Sequence, residues 1–145
     1  MWRRDRALHR AVWPAALLVL ALVLAACAGE DGATAEGTKN ADGYTDISVE
    51  ELAALLEAED VTLVNVHVPY EGEIPETDLF IPYDEIEAHL AELPDRGAPI
   101  VLYCRSGSMS ASAARVLAGA GYENVMEVDG GFNAWRAAGY ELLDR

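Results

Sequence analysis

One segment, Pro99 to Ser110, constrains the fold more than any other part of the chain. Ile100 to Tyr103 is short, apolar and β-prone, whereas Ser110 to Ala118 is rich in helix-forming residues and ends at Gly119. A buried strand that passes within a few residues into a helix is the repeating unit of parallel α/β sheets. Cys104 lies in this connection, at the carboxyl end of the strand, where ligands bind in sheets of this kind.

The residues around Cys104 favour a reactive sulfur. The first amides of a helix have no acceptor within the helix, so they place partial positive charge beside the loop that precedes it. Arg105 adds a full positive charge. We therefore interpret Cys104 as a nucleophile whose sulfur, or an anionic group carried on it, is held by the loop. A buried, inert cysteine is the alternative, and the polar run Arg105 to Ser108 disfavours it.

The rest of the chain predicts further alternation of strands and helices. Ser48 and Glu51 have the spacing of a capping box that opens a first helix. Asp84 to Glu87 predicts the cap of a second helix that ends before Pro94, and a last short helix is predicted around Trp135. Strands are predicted at 45–47, 61–68, 79–81, 100–103 and 124–128. The predicted fold class is α/β, a mostly parallel central sheet with helices on both faces.

Residues 1–26 have the layout of a secretory signal peptide. Four arginines among the first ten residues precede an uncharged, mostly apolar stretch that ends in Leu24-Ala-Ala-Cys27. This ending resembles a bacterial lipoprotein signal, in which the cysteine becomes the lipidated first residue of the mature protein. An uncleaved membrane anchor is the alternative. We expect Cys27 to carry lipid that anchors the protein on the extracytoplasmic side of a membrane in the bacterial cell envelope.

Residues 27–43 are predicted to be a flexible tether, because they lack apolar periodicity, and residues 44–145 a single domain. The net charge is −15, and four arginines against one aspartate in residues 1–26 mean that a cleaved form carries −18. Such acidity disfavours nucleic acid and anionic lipid surfaces as partners. With lipid on Cys27, Cys104 has no disulfide partner; a Cys27–Cys104 disulfide is the alternative. We expect a monomer.

From Tyr44 to Leu143 the chain resembles a single rhodanese domain. The resemblance rests on four motifs: Cys104-Arg-Ser-Gly107, Gly72-Glu-Ile-Pro75, Phe80-Ile-Pro82, and Gly130-Gly131 with Trp135. It implies the rhodanese-like α/β fold and sulfurtransferase chemistry. A loop cysteine of this family carries sulfane sulfur as a persulfide and passes it from a sulfur donor to a thiol or cyanide. No metal or organic cofactor is required for this chemistry.

The resemblance implies a role for each residue of the loop. Cys104 is the catalytic nucleophile, Arg105 stabilises charge, and the amides of residues 106–110 hold the persulfide. The expected substrate-binding residues are Arg105, Ser106, Gly107, Ser108, Met109 and Ser110. Phosphatase chemistry of the Cys-x5-Arg type is disfavoured, because Ser110 occupies the position of the required arginine.

Three residues depart from the family pattern. Many members carry Asp, Arg and Arg where this chain has Asn65, His67 and Met109. The loss of these charges predicts a more neutral pocket that favours persulfides or polysulfides over thiosulfate as donors. A sulfur carrier with little turnover and a thiol redox partner in the cell envelope remain alternative functions.

Other polar and aromatic residues receive structural interpretations. His67 is either a donor to the pocket or a hydrogen-bonded structural histidine, and His89 is assigned to the edge of the core; neither indicates a metal site. Phe132 and Trp135 are interpreted as packing residues. Met109 either faces the core or lines the pocket.

Overall fold

The computed structural model describes residues 37–58 and 60–144. The predicted signal peptide at 1–26, the predicted lipidation site Cys27 and residues 28–36 of the predicted tether lie outside the described residues. Among the helices that are described, none has the length and apolar character needed to cross a membrane.

Five strands form one parallel sheet in the order β1-β5-β4-β2-β3. The strands are β1 (Thr45–Ile47), β2 (Thr62–Asn65), β3 (Leu79–Phe80), β4 (Pro99–Tyr103) and β5 (Asn124–Val128). The helices are α1 (Val49–Ala58), α2 (Ser108–Gly119) and α3 (Gly131–Ala137), with a 3₁₀ segment at Ile86–Glu92. The predicted α/β class with a parallel sheet is confirmed, and β4 occupies the centre of the sheet.

The alternation of side chains along β4 divides the core between the two faces of the sheet. On one face, Ile100, Leu102 and the following Cys104 pack in a cluster with α2 residues such as Leu117. On the other face, Val101 and Tyr103 pack with Leu52 and Leu55 of α1 and with Phe132 and Trp135 of α3. Phe132 and Trp135 are therefore packing residues, as predicted, and helices cover both faces.

Two local predictions agree closely with the structure. The Ser48 amide donates to Glu51 Oε2 at 2.7 Å, and the Glu51 amide donates to Ser48 Oγ at 3.2 Å. This reciprocal capping box satisfies two N–H groups at the start of α1. Strand β5 spans the predicted residues 124–128.

The second helix lies at the predicted position and ends before Pro94, but it is a 3₁₀ helix and lacks the predicted cap. Ile86–Glu92 forms 3₁₀ turns interrupted at His89 (φ −108°, ψ 16°), and the segment starts without a side-chain cap. It ends at Leu93, whose backbone is extended (φ −83°, ψ 155°). Pro94 disfavours α-helical geometry in the residue before it, which accounts for the end of the segment at Leu93.

The predicted tether ends before Gly43. Asn40 and Gly43 form a turn in which the Asn40 amide donates to Tyr44 O at 2.7 Å and the Gly43 amide donates to Asn40 O at 3.1 Å. Arg115 of α2 binds the Asp42 carboxylate at 2.8 Å. Asn40 Oδ1 accepts the Asp42 amide, a bond that initiates a turn. The turn and the Arg115 contact together fix the last residues of the predicted tether against the domain.

Candidate active site

The backbone at Cys104 is held from behind by the start of α3. The amide of Phe132 donates to Cys104 O at 2.9 Å, and the amide of Asn133 donates to Arg105 O at 3.1 Å. A Cβ atom at Gly131 (φ +55°) would lie 2.1 Å from Cys104 O, so only glycine permits this approach. The Gly130-Gly131 motif therefore serves to fix the loop that carries the cysteine.

The Cys104 sulfur lies at the start of α2, within hydrogen-bond distance of two donors. The donors are the Gly107 amide at 3.1 Å and Ser110 Oγ at 3.3 Å. Gly107 caps α2 with a left-handed backbone (φ +100°), which places its amide beside the sulfur. As a result α2 begins at Ser108, two residues before the predicted helix.

Cys104 is a free thiol and is only 1% exposed. This burial is what the alternative of an inert cysteine predicts. However, hydrogen-bond donors such as the Gly107 amide and the Ser110 hydroxyl stabilise a sulfur anion. The geometry thus favours the nucleophilic interpretation, and it also means that a donor has to approach through the rim of the loop. Ser106 and Ser108 are exposed on that rim.

A buried carboxyl group lies behind Ser110. Glu127 of β5 is 3% exposed, and its Oε1 is 2.5 Å from Ser110 Oγ. Burial raises the pKa of Glu127 to about 7, the Ser110 hydrogen bond opposes the increase, and the charges of Asp46 and Asp129 add to it. Glu127 was not among the predicted site residues. The signal was a single carboxylate within the otherwise apolar run Val125 to Val128.

The positive charge of Arg105 is paired at the rim. Its guanidinium lies 3.2 and 3.3 Å from the two carboxylate oxygens of Glu71, and Glu71 also binds His67 Nε2 at 3.0 Å. Hydrogen bonding to His67, with a further contribution from the Arg105 charge, lowers the pKa of Glu71. Arg105 was expected to stabilise charge at the site, and the carboxylate of Glu71 offsets its positive charge.

Asn65 and His67 organise the backbone beneath the rim. The Asn65 side chain donates to Gly72 O at 3.0 Å and accepts the His67 amide at 3.0 Å. A carboxylate at this position could not donate to Gly72 O, so the amide suits this contact. His67 is buried, with its ring edge-on to Phe132 at 5.4 Å. Its contact with Glu71 is that of a hydrogen-bonded structural histidine, while its Nδ1 is buried without a hydrogen-bond partner.

Met109 and His89 have structural surroundings. Met109 is half-buried and packs against the core cluster that contains Cys104. His89 is paired with carboxylates, with Nδ1 2.6 Å from Glu92 and Nε2 3.7 Å from Glu85. Within residues 37–58 and 60–144, no group of three or more His, Cys, Asp or Glu side chains is placed to hold a metal ion.

Fold and site together define an α/β protein with a cysteine held at a strand-to-helix loop. The rhodanese-like domain model matches residues 48–138, so the chain belongs to the rhodanese-like domain family. It is 33% identical to the thiosulfate sulfurtransferase GlpE of Pseudoalteromonas translucida, over 70% of this chain and 98% of that protein. It is 36% identical to a sulfurtransferase of Allochromatium vinosum, over 61% of this chain and 84% of that protein.

A solved structure gives the same result for the fold. The crystal structure of a rhodanese-related protein from Thermoplasma volcanium superposes with a TM-score of 0.59 at 27% identity. The match covers 69% of this chain and 98% of that one. The predicted rhodanese-like fold is confirmed.

Proposed function

We propose that this rhodanese-family sulfurtransferase moves sulfane sulfur from a small donor to a thiol or cyanide through a persulfide on Cys104. The observation that supports the proposal most directly is the position of the Cys104 sulfur at the start of α2. There it accepts hydrogen bonds from the Gly107 amide and the Ser110 hydroxyl. Hydrogen bonds from both donors become stronger when the sulfur carries negative charge.

The reaction has two covalent steps. In the first, the Cys104 thiolate attacks the sulfane sulfur of the donor; a new S–S bond forms, and the old S–S bond breaks with its electron pair leaving on sulfite or on the donor thiolate. In the second, an acceptor thiolate or cyanide attacks the outer sulfur of the persulfide, and Cys104 leaves as a thiolate. The protein returns to its starting oxidation state, and the kinetics are ping-pong.

The charge at the rim bears on the choice of donor. Arg105 is paired with Glu71, and Met109 contributes no charge. Pairing of the cation weakens the electrostatic attraction between the rim and an anionic donor. The loss of attraction is larger for the doubly charged thiosulfate than for a singly charged persulfide. We therefore propose that persulfides or polysulfides are better donors than thiosulfate.

The cellular location is proposed from the sequence of residues 1–27 alone. The basic start, apolar middle and Leu-Ala-Ala-Cys27 ending support lipidation of Cys27 and anchoring on the extracytoplasmic side of a membrane. Fractionation of cells that express the wild type and Cys27→Ser tests this proposal. The wild type is expected in membranes and the variant in the soluble or unprocessed fraction; identical fractionation and migration of the two proteins would contradict lipidation.

Two-substrate steady-state kinetics test the activity. Rates measured against donor at several acceptor concentrations are expected to give the parallel double-reciprocal lines of a ping-pong reaction, and Cys104→Ser is expected to be inactive. Intersecting lines, or activity in Cys104→Ser, would contradict the mechanism. A persulfide that forms without turnover would indicate a sulfur carrier, and a mixed disulfide with a protein partner would indicate a redox role.

A further inference from the structure

The Ser110 hydroxyl is shared between the sulfur and a buried carboxyl group. Ser110 Oγ lies 2.5 Å from Glu127 Oε1, 3.1 Å from Gly107 O and 3.3 Å from Cys104 Sγ. A hydroxyl has one hydrogen, so it can donate fully to only one of these acceptors at a time. The acceptor that receives the hydrogen decides how well the sulfur anion is stabilised.

The charge of Glu127 determines this choice. A carboxylate accepts a hydroxyl hydrogen strongly, so charged Glu127 withdraws the Ser110 hydrogen from the sulfur. A neutral carboxyl group has its own hydrogen, which it donates to Ser110 Oγ, and the Ser110 hydrogen is then available to Cys104 Sγ. The 2.5 Å distance between Ser110 Oγ and Glu127 Oε1 is compatible with donation in either direction.

We propose that Glu127 is a positioning residue for sulfur transfer, and that its neutral form directs the Ser110 hydroxyl toward the Cys104 sulfur anion. This inference rests on the proposed function, because it assumes that the Cys104 sulfur is the reacting atom. Cys104 touches the substrate, whereas Glu127 acts on it only through Ser110. Protonation of Glu127 takes a proton from solvent and turns a hydroxyl; no bond of the sulfur is made or broken.

The surroundings of Glu127 allow it to change charge near neutral pH. Asp46 of β1 lies opposite Glu127 in the strand register, Asp129 follows it beyond β5, and Tyr44 precedes β1. On β4 the neighbour in register is the apolar Leu102. Arg115, the cation on α2, is bound to Asp42.

The direction of the pH effect follows from these groups. Burial and the neighbouring carboxylates raise the pKa of Glu127 to about 7. Below this pH the carboxyl is neutral and the hydroxyl serves the sulfur; above it the hydrogen is withdrawn. Removing the charge of Glu127 should therefore increase the reactivity of Cys104 only at alkaline pH.

Glu127→Gln keeps the shape and the neutral form at every pH, since its amide N–H can donate to Ser110 Oγ. One hydrogen bond to an anion is worth about a tenfold effect, so we expect charged Glu127 to leave the Cys104 thiolate about tenfold less stabilised. At pH 8 most of the wild type carries charged Glu127, and Cys104 in Glu127→Gln should therefore react about fivefold faster than in wild type. At pH 6 the two proteins should react at nearly the same rate.

The test is the rate of iodoacetamide labelling of the full chain in detergent at pH 6 and pH 8, read by mass spectrometry on the Cys104 peptide. Glu123→Gln is the matched control, because it makes the same charge change at an exposed site. The ratio of the Glu127→Gln labelling rate to the wild-type rate is expected to increase with pH, whereas the same ratio for Glu123→Gln should stay near one. In a Ser110→Ala background, the effect of Glu127→Gln on the labelling rate should disappear. A ratio that does not change with pH, or an effect that persists without Ser110, would overturn it.

A second comparison does not depend on the folding of Glu127→Gln. The ratio of wild-type to Ser110→Ala labelling rates should fall between pH 6 and pH 8, because the hydroxyl serves the sulfur only in the acidic range. A constant ratio would overturn the proposal. Labelling needs no sulfur donor, so these results are independent of whether the wild type forms a persulfide, which is the test of the proposed function.

Discussion

The contact between Gly131 and the cysteine loop can be perturbed by a single methyl group. In Gly131→Ala, the added Cβ would lie 2.1 Å from Cys104 O and 2.8 Å from the carbonyl carbon of Arg105. These are backbone atoms, so they cannot rotate away. The loop and α3 must separate, and the hydrogen bonds that the Phe132 and Asn133 amides donate to Cys104 O and Arg105 O are lost or stretched.

The expected cost has two parts. The positive φ of Gly131 penalises an alanine by about 1–2 kcal/mol. Two weakened backbone hydrogen bonds add about 1 kcal/mol each. A total loss of about 3–4 kcal/mol lowers the melting temperature of a domain of this size by roughly 15–25 °C.

Gly139→Ala isolates the first part, the penalty for a positive φ. Gly139 also has a positive φ (+91°), but no atom lies within 4 Å of its Cβ position. It is expected to lose only about 1–2 kcal/mol and to keep the reactivity of Cys104. Urea unfolding followed by circular dichroism, with iodoacetamide labelling of Cys104, measures both quantities. Equal stability losses in the two variants, with Cys104 reactivity unchanged in Gly131→Ala, would refute the reasoning.

Three further predictions concern charge. The folded pKa of Glu127 is raised from its usual 4.5 to about 7, so its contribution to stability is present below about pH 4.5 and lost as pH rises to about 7. Glu127→Gln should therefore be more stable than wild type at pH 8 by up to about 3 kcal/mol, and equal at pH 4.5, in urea unfolding; equal stability at both pH values would contradict burial of a charged carboxylate. Met109→Arg should raise kcat/KM for thiosulfate severalfold more than for a persulfide donor, and equal gains would show that Met109 does not influence donor choice. Glu71→Gln should unpair Arg105 and lower KM for thiosulfate by up to about fivefold, an effect that high salt should diminish; an unchanged KM would show that the paired charge does not limit donor binding.

Features encoded by neighbouring residues could be predicted from the sequence. The capping box of α1 depends on contacts within a few residues, and strand β5 is marked by a short, mostly apolar run; both occur where the pattern indicates. The Cys104 loop is of the same kind, since the strand, the glycine and the helix that form it are consecutive. The start of α2 was displaced by two residues because Gly107 acts as the cap, which is a property of its backbone angle.

The partners of the loop could not be predicted in the same way. Ser110 and Glu127 are 17 residues apart, and Arg105 and Glu71 are 34 apart; each pair meets only because parallel strands bring distant segments to one edge of the sheet. Neither Glu71 nor Glu127 was predicted to be part of the site. For the 3₁₀ segment at 86–92, the end before Pro94 could be predicted from the proline, whereas the absence of a side-chain cap could not.

The most direct test of the central claim is the mass of the Cys104 peptide during a single catalytic cycle. The full chain is incubated with a persulfide donor, separated from it, and sampled before and after addition of an acceptor thiol, with Cys104→Ser carried in parallel. The account predicts that the Cys104 peptide gains the mass of one sulfur atom and loses it to the acceptor, with no change in Cys104→Ser. An unmodified peptide in a protein that turns over, or a sulfur atom that the acceptor never removes, would contradict it.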